Sequence, residues 1–407
     1  MRKSTALAVL AVFAAPAAAS AQDFGREWLD RITHATEQER GPLTARPIEW
    51  HAGGGVAYFF DDNVALADDS QPGVEKIEDS IIVPFVRGTL TYVEQRFEVE
   101  ADLLANYKLY SEVDDLNDDE ERLYLRARQT GNRYSFELVE LFQHVSDPAG
   151  VLFPVRVERI LWNNVLRFSY DVDRSWAIEG FANYQLVRYA EATFGNSGDN
   201  NELRVDGTVV YRASQRWDLL LNLGWQDIAY QSENAPVDAW GWYFRPGFRA
   251  EVFERFQLDV LAGISHIESD YITGTTDLED DTVDAAVNLR WQMSDQFNLR
   301  GDYTRQFTFA SNGDPYQRVD RFTVLLDWML SETFSLNGRG QFDHASAPRG
   351  DENNYYTAGL NATWKASPYM AVDAGVTFRL GDSTDGLTAF ESEYDNVIFH
   401  FGLAASY

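Results

Sequence analysis

Apolar and polar side chains alternate with a period of two along nearly the whole chain, in runs of about 12 to 15 residues. One run reads Trp217–Asp218–Leu219–Leu220–Leu221–Asn222–Leu223–Gly224–Trp225. Another reads Phe334–Ser335–Leu336–Asn337–Gly338–Arg339–Gly340–Gln341–Phe342–Asp343, and a last one closes the chain from Val397 to Tyr407. Successive side chains of a strand point to opposite faces, so each run describes a strand between two different surroundings. Runs of roughly 10 or more residues exceed what a globular sheet needs and match a strand tilted across a bilayer.

The gaps between runs alternate in kind. Tight turns fall at Val93–Gln95, Thr130–Asn132, Val172–Arg174, Ser214–Arg216, Glu254–Arg255, Ser294–Gln296, Ser331–Thr333 and Ala366–Tyr369. Between them lie longer polar connections, among them Ala65–Asp79, Ser111–Glu120, Val145–Val157 and Gly381–Glu393. A repeat of roughly 40 residues also suits propeller blades, but a blade needs a turn about every 10 residues, and these runs continue past that length. The spacing therefore predicts an all-β fold: a transmembrane up-and-down antiparallel β-barrel of about 18 strands (16–18). Short periplasmic turns, long extracellular loops and two periplasmic termini complete that layout. A closed barrel leaves no unpaired sheet edge in lipid. The first run, Gly53 to Phe60, is the least regular.

The N-terminus reads differently. Arg2 and Lys3 precede an apolar stretch from Ala6 to Ala15 and an Ala19–Ser20–Ala21 exit, the layout of a secretory signal peptide over 1–21. Residues 22–47 form a periplasmic lead-in, in which Phe24, Trp28, Leu29 and Ile32 have the spacing of a short helix. The barrel is expected over 48–407. No later segment has the length and apolarity of a membrane helix; Ile81 to Val86 is brief and contains Pro84. The absence of cysteine excludes disulfides and thiolate chemistry. A net charge of −30 argues against nucleic acid as a partner and against docking on anionic lipid through a basic patch.

Parity assigns the faces. Over Asp238 to Val252 one parity carries Trp240, Trp242, Phe244, Pro246 and Phe248; the other carries Tyr243, Arg245, Arg249 and Glu251. An arginine at the bilayer midplane costs about 2–4 kcal/mol, so the first set faces lipid. By the same reading Arg87, Arg122, Arg126, Arg128, Arg159, Arg167, Arg204, Arg212, Arg245, Arg249, Arg290, Arg300, Arg321, Arg339 and Arg379 face inward. So do Glu98, Glu100, Asp102, Glu202, Asp206, Asp284, Asp302, Asp327, Asp343 and Asp373. Two readings fit this wall: a lattice of cross-strand ion pairs, or an arginine track that guides an anionic cargo by forked contacts to carboxylates. Both stay open on sequence alone.

No catalytic centre is expected. His144, His266 and His344 fall toward the extracellular rim with acidic neighbours, but they sit on strands far apart, and neither a Gly-x-Ser-x-Gly nor a metal-spaced His pair accompanies them. The acidic runs Glu112–Glu121 and Asp277–Asp281 lack the twelve-residue calcium-loop pattern. No metal or other cofactor is expected.

Two motifs carry a resemblance. Arg46–Pro47 followed by Gly55–Val56–Ala57–Tyr58–Phe59–Phe60–Asp61–Asp62–Asn63–Val64 resembles the opening of an outer-membrane beta-barrel porin family associated with exopolysaccharide export; Phe60 stands where that family typically has Tyr. Phe399, Phe401, Leu403 and the terminal Tyr407 resemble the signal read by the barrel assembly machinery. The first resemblance implies a passive outer-membrane channel of a Gram-negative bacterium that exports an anionic exopolysaccharide. It would work with a periplasmic or inner-membrane export complex, and with lipid and lipopolysaccharide around it. The alternative is a general or substrate-selective porin for small solutes; a rim-active hydrolase is a third, lesser reading.

Overall fold

The structure is a computed structural model. It describes residues 48–406 except 65–75, 114–116, 146–147, 151–152, 157, 190–198, 231–237, 270–277, 309–315, 349–351 and 384–393. The expected signal peptide (1–21), the expected lead-in (22–47) and Tyr407 lie outside the described residues.

Eighteen antiparallel strands form one closed sheet. They are β1 (Ile48–Asp61), β2 (Asp79–Glu94), β3 (Phe97–Tyr110), β4 (Asp118–Thr130), β5 (Tyr134–Val145), β8 (Arg159–Asp171), β9 (Trp176–Tyr189), β10 (Asn200–Arg212) and β11 (Trp217–Tyr230). The order continues with β12 (Ala239–Phe253), β13 (Phe256–Ser269), β14 (Leu278–Gln292), β15 (Phe297–Thr308), β16 (Gln317–Met329), β17 (Phe334–Ser346), β18 (Glu352–Ser367), β19 (Met370–Ser383) and β20 (Tyr394–Ser406). A small separate hairpin, β6 (Pro148–Gly150) with β7 (Phe153–Arg156), sits in the connection between β5 and β8. Each barrel strand pairs with its sequence neighbours, and β1 pairs with β20 from Gly53↔Ser406 to Asp61↔Ile398, which closes the sheet. The first strand begins at Ile48, well before the irregular Gly53–Phe60 run, and pairs with β2 over its whole length.

Parity and accessibility agree about the two faces. On β11 the residues Trp217, Leu219, Leu221, Leu223 and Trp225 are all exposed to the outside, while Leu220, Asn222 and Gln226 are buried on the inside. Aromatic pairs gather near the short turns: Trp176–Tyr211 at 4.7 Å, Trp217–Phe248 at 5.5 Å and Phe297–Trp328 at 6.0 Å between ring centroids. Such rings suit the boundary between hydrocarbon and water. The short turns are built without glycine where the chain reverses fastest, for Gln95 and Arg255 take positive φ values of 48° and 72°.

Two prolines interrupt the ladders they lack the N–H to complete. Pairing between β2 and β3 skips from Ile82↔Leu109 to Phe85↔Asn106 around Pro84, and between β12 and β13 from Phe244↔Ile264 to Gly247↔Leu261 around Pro246. Gly55, in contrast, is needed for closeness: a Cβ there would lie 2.1 Å from the Leu403 carbonyl oxygen and 2.7 Å from the Phe85 ring. The glycine lets the first strand meet the last while the Phe85 ring lies flat inside.

Candidate functional site

The interior wall is the part of the molecule with chemistry to offer. The register places every inward-assigned arginine on the lumen parity. On β4, Arg122, Arg126 and Arg128 alternate with the outward Leu123, Leu125 and Ala127. Arg159 and Arg167 occupy the inner face of β8, Arg204 and Arg212 that of β10, Arg245 and Arg249 that of β12. Arg290, Arg300, Arg321, Arg339 and Arg379 follow on β14 to β17 and β19.

Most of these guanidinium groups meet carboxylates on strands one to three places away. Arg87 Nε donates to both oxygens of Asp102 at 2.9 and 3.0 Å, and Arg122 Nη2 lies 3.7 Å from the same carboxylate. Glu137 accepts from Arg126 Nε at 2.7 Å and from Arg167 Nη1 at 2.8 Å. Arg321 Nε donates to Asp343 Oδ1 at 2.8 Å, and Arg245 Nη1 lies 3.2 Å from Asp284 Oδ1. Arg212 pairs with Asp171. Arg249 holds Glu179 through two bonds of 3.1 and 3.2 Å, with Asp259 at 3.4 Å. On these residues the ion-pair lattice, rather than an unpaired basic track, describes the wall. Glu137 escaped the sequence reading because apolar Val139 and Leu141 share its parity on β5, which blurs the polar face there.

One sector departs from a plain wall. Arg204 on β10 donates from Nε to the Tyr243 hydroxyl at 2.9 Å and from Nη1 to Gln306 Oε1 at 2.6 Å. Gln226 Nε2 on β11 donates to the Phe307 carbonyl at 3.3 Å. Gln306 and Phe307 belong to β15, five strands from Arg204. Eighteen strands spaced ~4.8 Å apart and tilted ~40° give a radius of roughly 18 Å, so five strands span a chord of roughly 27 Å. An Arg and a Gln bridged by one hydrogen bond reach roughly 14 Å. The top of the β15–β16 hairpin therefore folds into the lumen. Pairing confirms the departure: β14 and β15 stay together only from Gln292↔Asn298 to Ala285↔Arg305, while β15 follows β16 up to Thr308↔Gln317. Phe307 and Tyr316 then pack inside against Ile228, Ala239 and Ile267.

Beneath this tip lies a polar hub. The Tyr243 ring lies between two guanidinium groups, Arg245 at 4.0 Å and Arg204 at 4.7 Å from its centroid, and its hydroxyl donates to Asp206 Oδ2 at 2.9 Å. Arg245 Nε donates to Asn222 Oδ1 at 3.1 Å, and Asn222 Nδ2 to Asp206 Oδ1 at 3.1 Å. Tyr243 lies flat because its register partner is Gly224, where a Cβ would come within 2.0 Å of the ring. Parity assigns Tyr243 its side of the sheet, but nothing in the local pattern announces that a hairpin tip three strands away will bend down over it.

The motif Asp61–Asp62–Asn63 lies where first and last strands meet at the long-loop end. Asp61 Oδ1 accepts from the Asn63 backbone N–H at 3.0 Å and from the Asn396 amide. Asn63 Nδ2 donates to the Asp395 carbonyl at 3.0 Å, and the Val397 N–H to Asp62 Oδ1 at 2.6 Å. These bonds latch the seam between the first and last strands. Phe399 and Phe401 are exposed on the outer face of β20.

The three rim histidines lie on the outer face, apart from the lumen. His144 is held by Glu121 at 3.0 Å and Glu158 at 2.7 Å, His266 by Asp281 at 2.9 Å, and His344 by Asn354 at 2.9 Å. Asp119, Glu121 and His144 present donor atoms within 4.8 Å of one another, the metal-competent grouping among the described residues. It faces outward between β4 and β5. A fourth histidine, His400, points inward and is buried: its Nε2 lies 2.7 Å from Asp373 Oδ1, whose other oxygen accepts from Thr363 at 2.6 Å. No nucleophile completes any of these groups into a hydrolytic centre among the described residues.

No family model and no curated protein matches the sequence. Among solved structures, the chain is similar to Pseudomonas aeruginosa OpdK with vanillate, at 11% identity over 88% of this chain and 99% of that one, with a TM-score of 0.45. It is similar to Pseudomonas aeruginosa OccK2 (OpdF) in complex with glucuronate, at 11% identity over 88% and 98% of the two chains, TM-score 0.44. Acinetobacter baumannii OccAB3 gives 10% identity, 88% and 100% coverage, and a TM-score of 0.42. These are distant likenesses of overall form.

Proposed function

We propose that the chain is an outer-membrane channel through which small polar solutes diffuse, with its long loops outside and its short turns in the periplasm. The observation that carries this reading is the two-faced wall: one closed sheet, apolar and aromatic outside, lined inside by arginine–carboxylate pairs. Such an interior is hydrated and close to charge balance, which suits solutes that need water and a few polar handholds. The inward tip of β15–β16 narrows the passage over the β10–β13 wall, a narrowing that favours small cargo over a polymer. Export of an anionic exopolysaccharide, which the resemblance of Asp61–Asn63 implies, asks for a long unpaired basic track. Arg87, Arg126, Arg167, Arg245, Arg249 and Arg321 are instead occupied by carboxylates, and Asp61–Asn63 latch the seam.

Planar-bilayer recording of the purified barrel tests the proposal. Discrete conductance steps are expected, and Phe307→Ala, which loosens the tip from Ile228 and Ile267, should raise the step size. A barrel that inserts yet stays electrically silent, in both the parent and the variant, overturns the channel reading.

A further inference from the structure

Arg290 on β14 and Arg300 on β15 stand directly opposite each other in the register, both on the lumen parity, one turn in from the short-turn mouth. Like charges directly opposite across a strand pair repel and destabilise the sheet. Elsewhere the wall avoids this by placing a carboxylate opposite or diagonal to the guanidinium, as with Arg321 and Asp343 or Arg167 and Glu137. Here carboxylates stand diagonal to the pair, Asp259 and Asp302 to Arg290 and Asp327 to Arg300, but none lies within ion-pair distance of either guanidinium. Neither Arg290 nor Arg300 forms an ion pair or hydrogen bond among the described residues, and Nε of Arg290 is buried without an acceptor. Arg300 is exposed to the lumen.

The nearest carboxylates are engaged otherwise. Asp302, one inward position beyond Arg300, accepts from the Asn288 amide. Asp327 on β16 accepts from Asn337 Nδ2 at 2.7 Å. Asp259 on β13 faces Arg249 at 3.4 Å. The three acids moderate the repulsion through space, but their oxygens are held by Asn288, Asn337 and Arg249, and two forked, always-charged donors are left beside one another at the mouth without an acceptor.

We infer that Arg290 and Arg300 form a binding site for the carboxylate of a small organic acid at the short-turn mouth of the barrel. A planar carboxylate offers two oxygens with lone pairs on both edges, so two guanidinium groups flanking it each donate in fork geometry, and the anion removes the repulsion between them. This inference deepens the channel reading and rests on it for the solute's route, while the site itself is tested by binding alone.

The experiment is calorimetric titration of the full barrel in detergent micelles with succinate, and with succinamide as its uncharged counterpart. Folding of each variant is checked by the heat-dependent shift in gel mobility. The parent is expected to bind succinate and not succinamide, and Arg290→Gln and Arg300→Gln should each weaken succinate at least tenfold. Arg255→Gln removes one positive charge from a turn at the same end, outside the lumen, and should leave binding within twofold. Should a glutamine variant fail to fold, Arg300→Lys keeps the charge without the fork and should still weaken binding several-fold. Equal succinate affinity in the parent and the folded Arg290 and Arg300 variants, equal binding of succinamide, or an equal loss in Arg255→Gln would overturn the inference. Because no current is measured, a barrel that binds succinate but does not conduct would defeat the channel reading and leave this site standing.

Discussion

Placing an arginine on the outer face should cost an amount set by depth, and β11 gives the scale. Strands tilted ~40° advance roughly 2.5 Å along the membrane normal per residue, so Trp217 and Trp225 lie roughly 20 Å apart, close to the ~25 Å apolar band of such barrels. Leu221 is midway between them on the outward parity. Val252 also faces outward, but beside the short turn at Glu254–Arg255. The two are similarly exposed, at 39% and 45%, so in water they would tolerate arginine equally. In lipid Leu221→Arg should cost about 2–4 kcal/mol and Val252→Arg about 0–1. The first corresponds to a shift of about 30- to 1,000-fold in the folding equilibrium. Urea-dependent folding into phosphatidylcholine vesicles, followed by tryptophan fluorescence and by heat-dependent gel mobility, measures both. A cost below about 0.5 kcal/mol for Leu221→Arg, or equal costs at the two sites, would refute the assignment of this face to lipid.

Three further outcomes follow from the same structure. Asp61→Ala removes the acceptor shared by Asn63 and Asn396; losing these charge-assisted bonds should cost about 1.5–3 kcal/mol and lower the urea midpoint of vesicle-folded barrel. Glu137→Ala strands Arg126 and Arg167 on a half-buried wall, for an expected loss of about 1–3 kcal/mol, less than for a fully buried pair. Adding Arg167→Ala should recover part of that loss, and strict additivity in the double-mutant cycle would contradict the coupling. Gly55→Val drives a side chain into the Leu403 carbonyl and the Phe85 ring, so the variant should give no heat-modifiable band after refolding; normal closure would show that the seam has slack the geometry denies.

The fold was legible because a barrel repeats one instruction many times. Alternation, tight turns and long loops each recur along the chain, so an error at one strand does not spread to the next. The faces were legible for the same reason: Arg245 and Trp242 differ in parity, and lipid enforces the difference. What escaped was whatever depends on distance across the lumen. Glu137 sits on a strand whose inner parity is part apolar. The contact of Arg204 with Gln306 joins residues 102 apart in sequence, through a bend that no local pattern encodes. The Asp61–Asn63 motif was legible as a motif, yet its role in latching β1 to β20 needed the partner residues Asp395, Asn396 and Val397 to be seen beside it.

The interior contacts divide by the number of strands they cross, and the division separates stability from shape. Pairs on adjacent strands, such as Arg321 with Asp343 and Arg167 with Glu137, stabilise the sheet locally and leave its curvature free. Contacts that skip strands do the opposite. Arg249 and Glu179 are three strands apart, a chord of roughly 18 Å on a round barrel of this size, yet they are joined by two hydrogen bonds. Arg204 and Gln306 are five apart. Both can form only where the β9–β15 arc is drawn inward, so these polar links set the cross-section of the passage. Arg290 and Arg300 fall in neither class, being adjacent yet mutually repulsive. A pair that neither stabilises the sheet nor shapes the lumen is best explained by what arrives there from outside the chain.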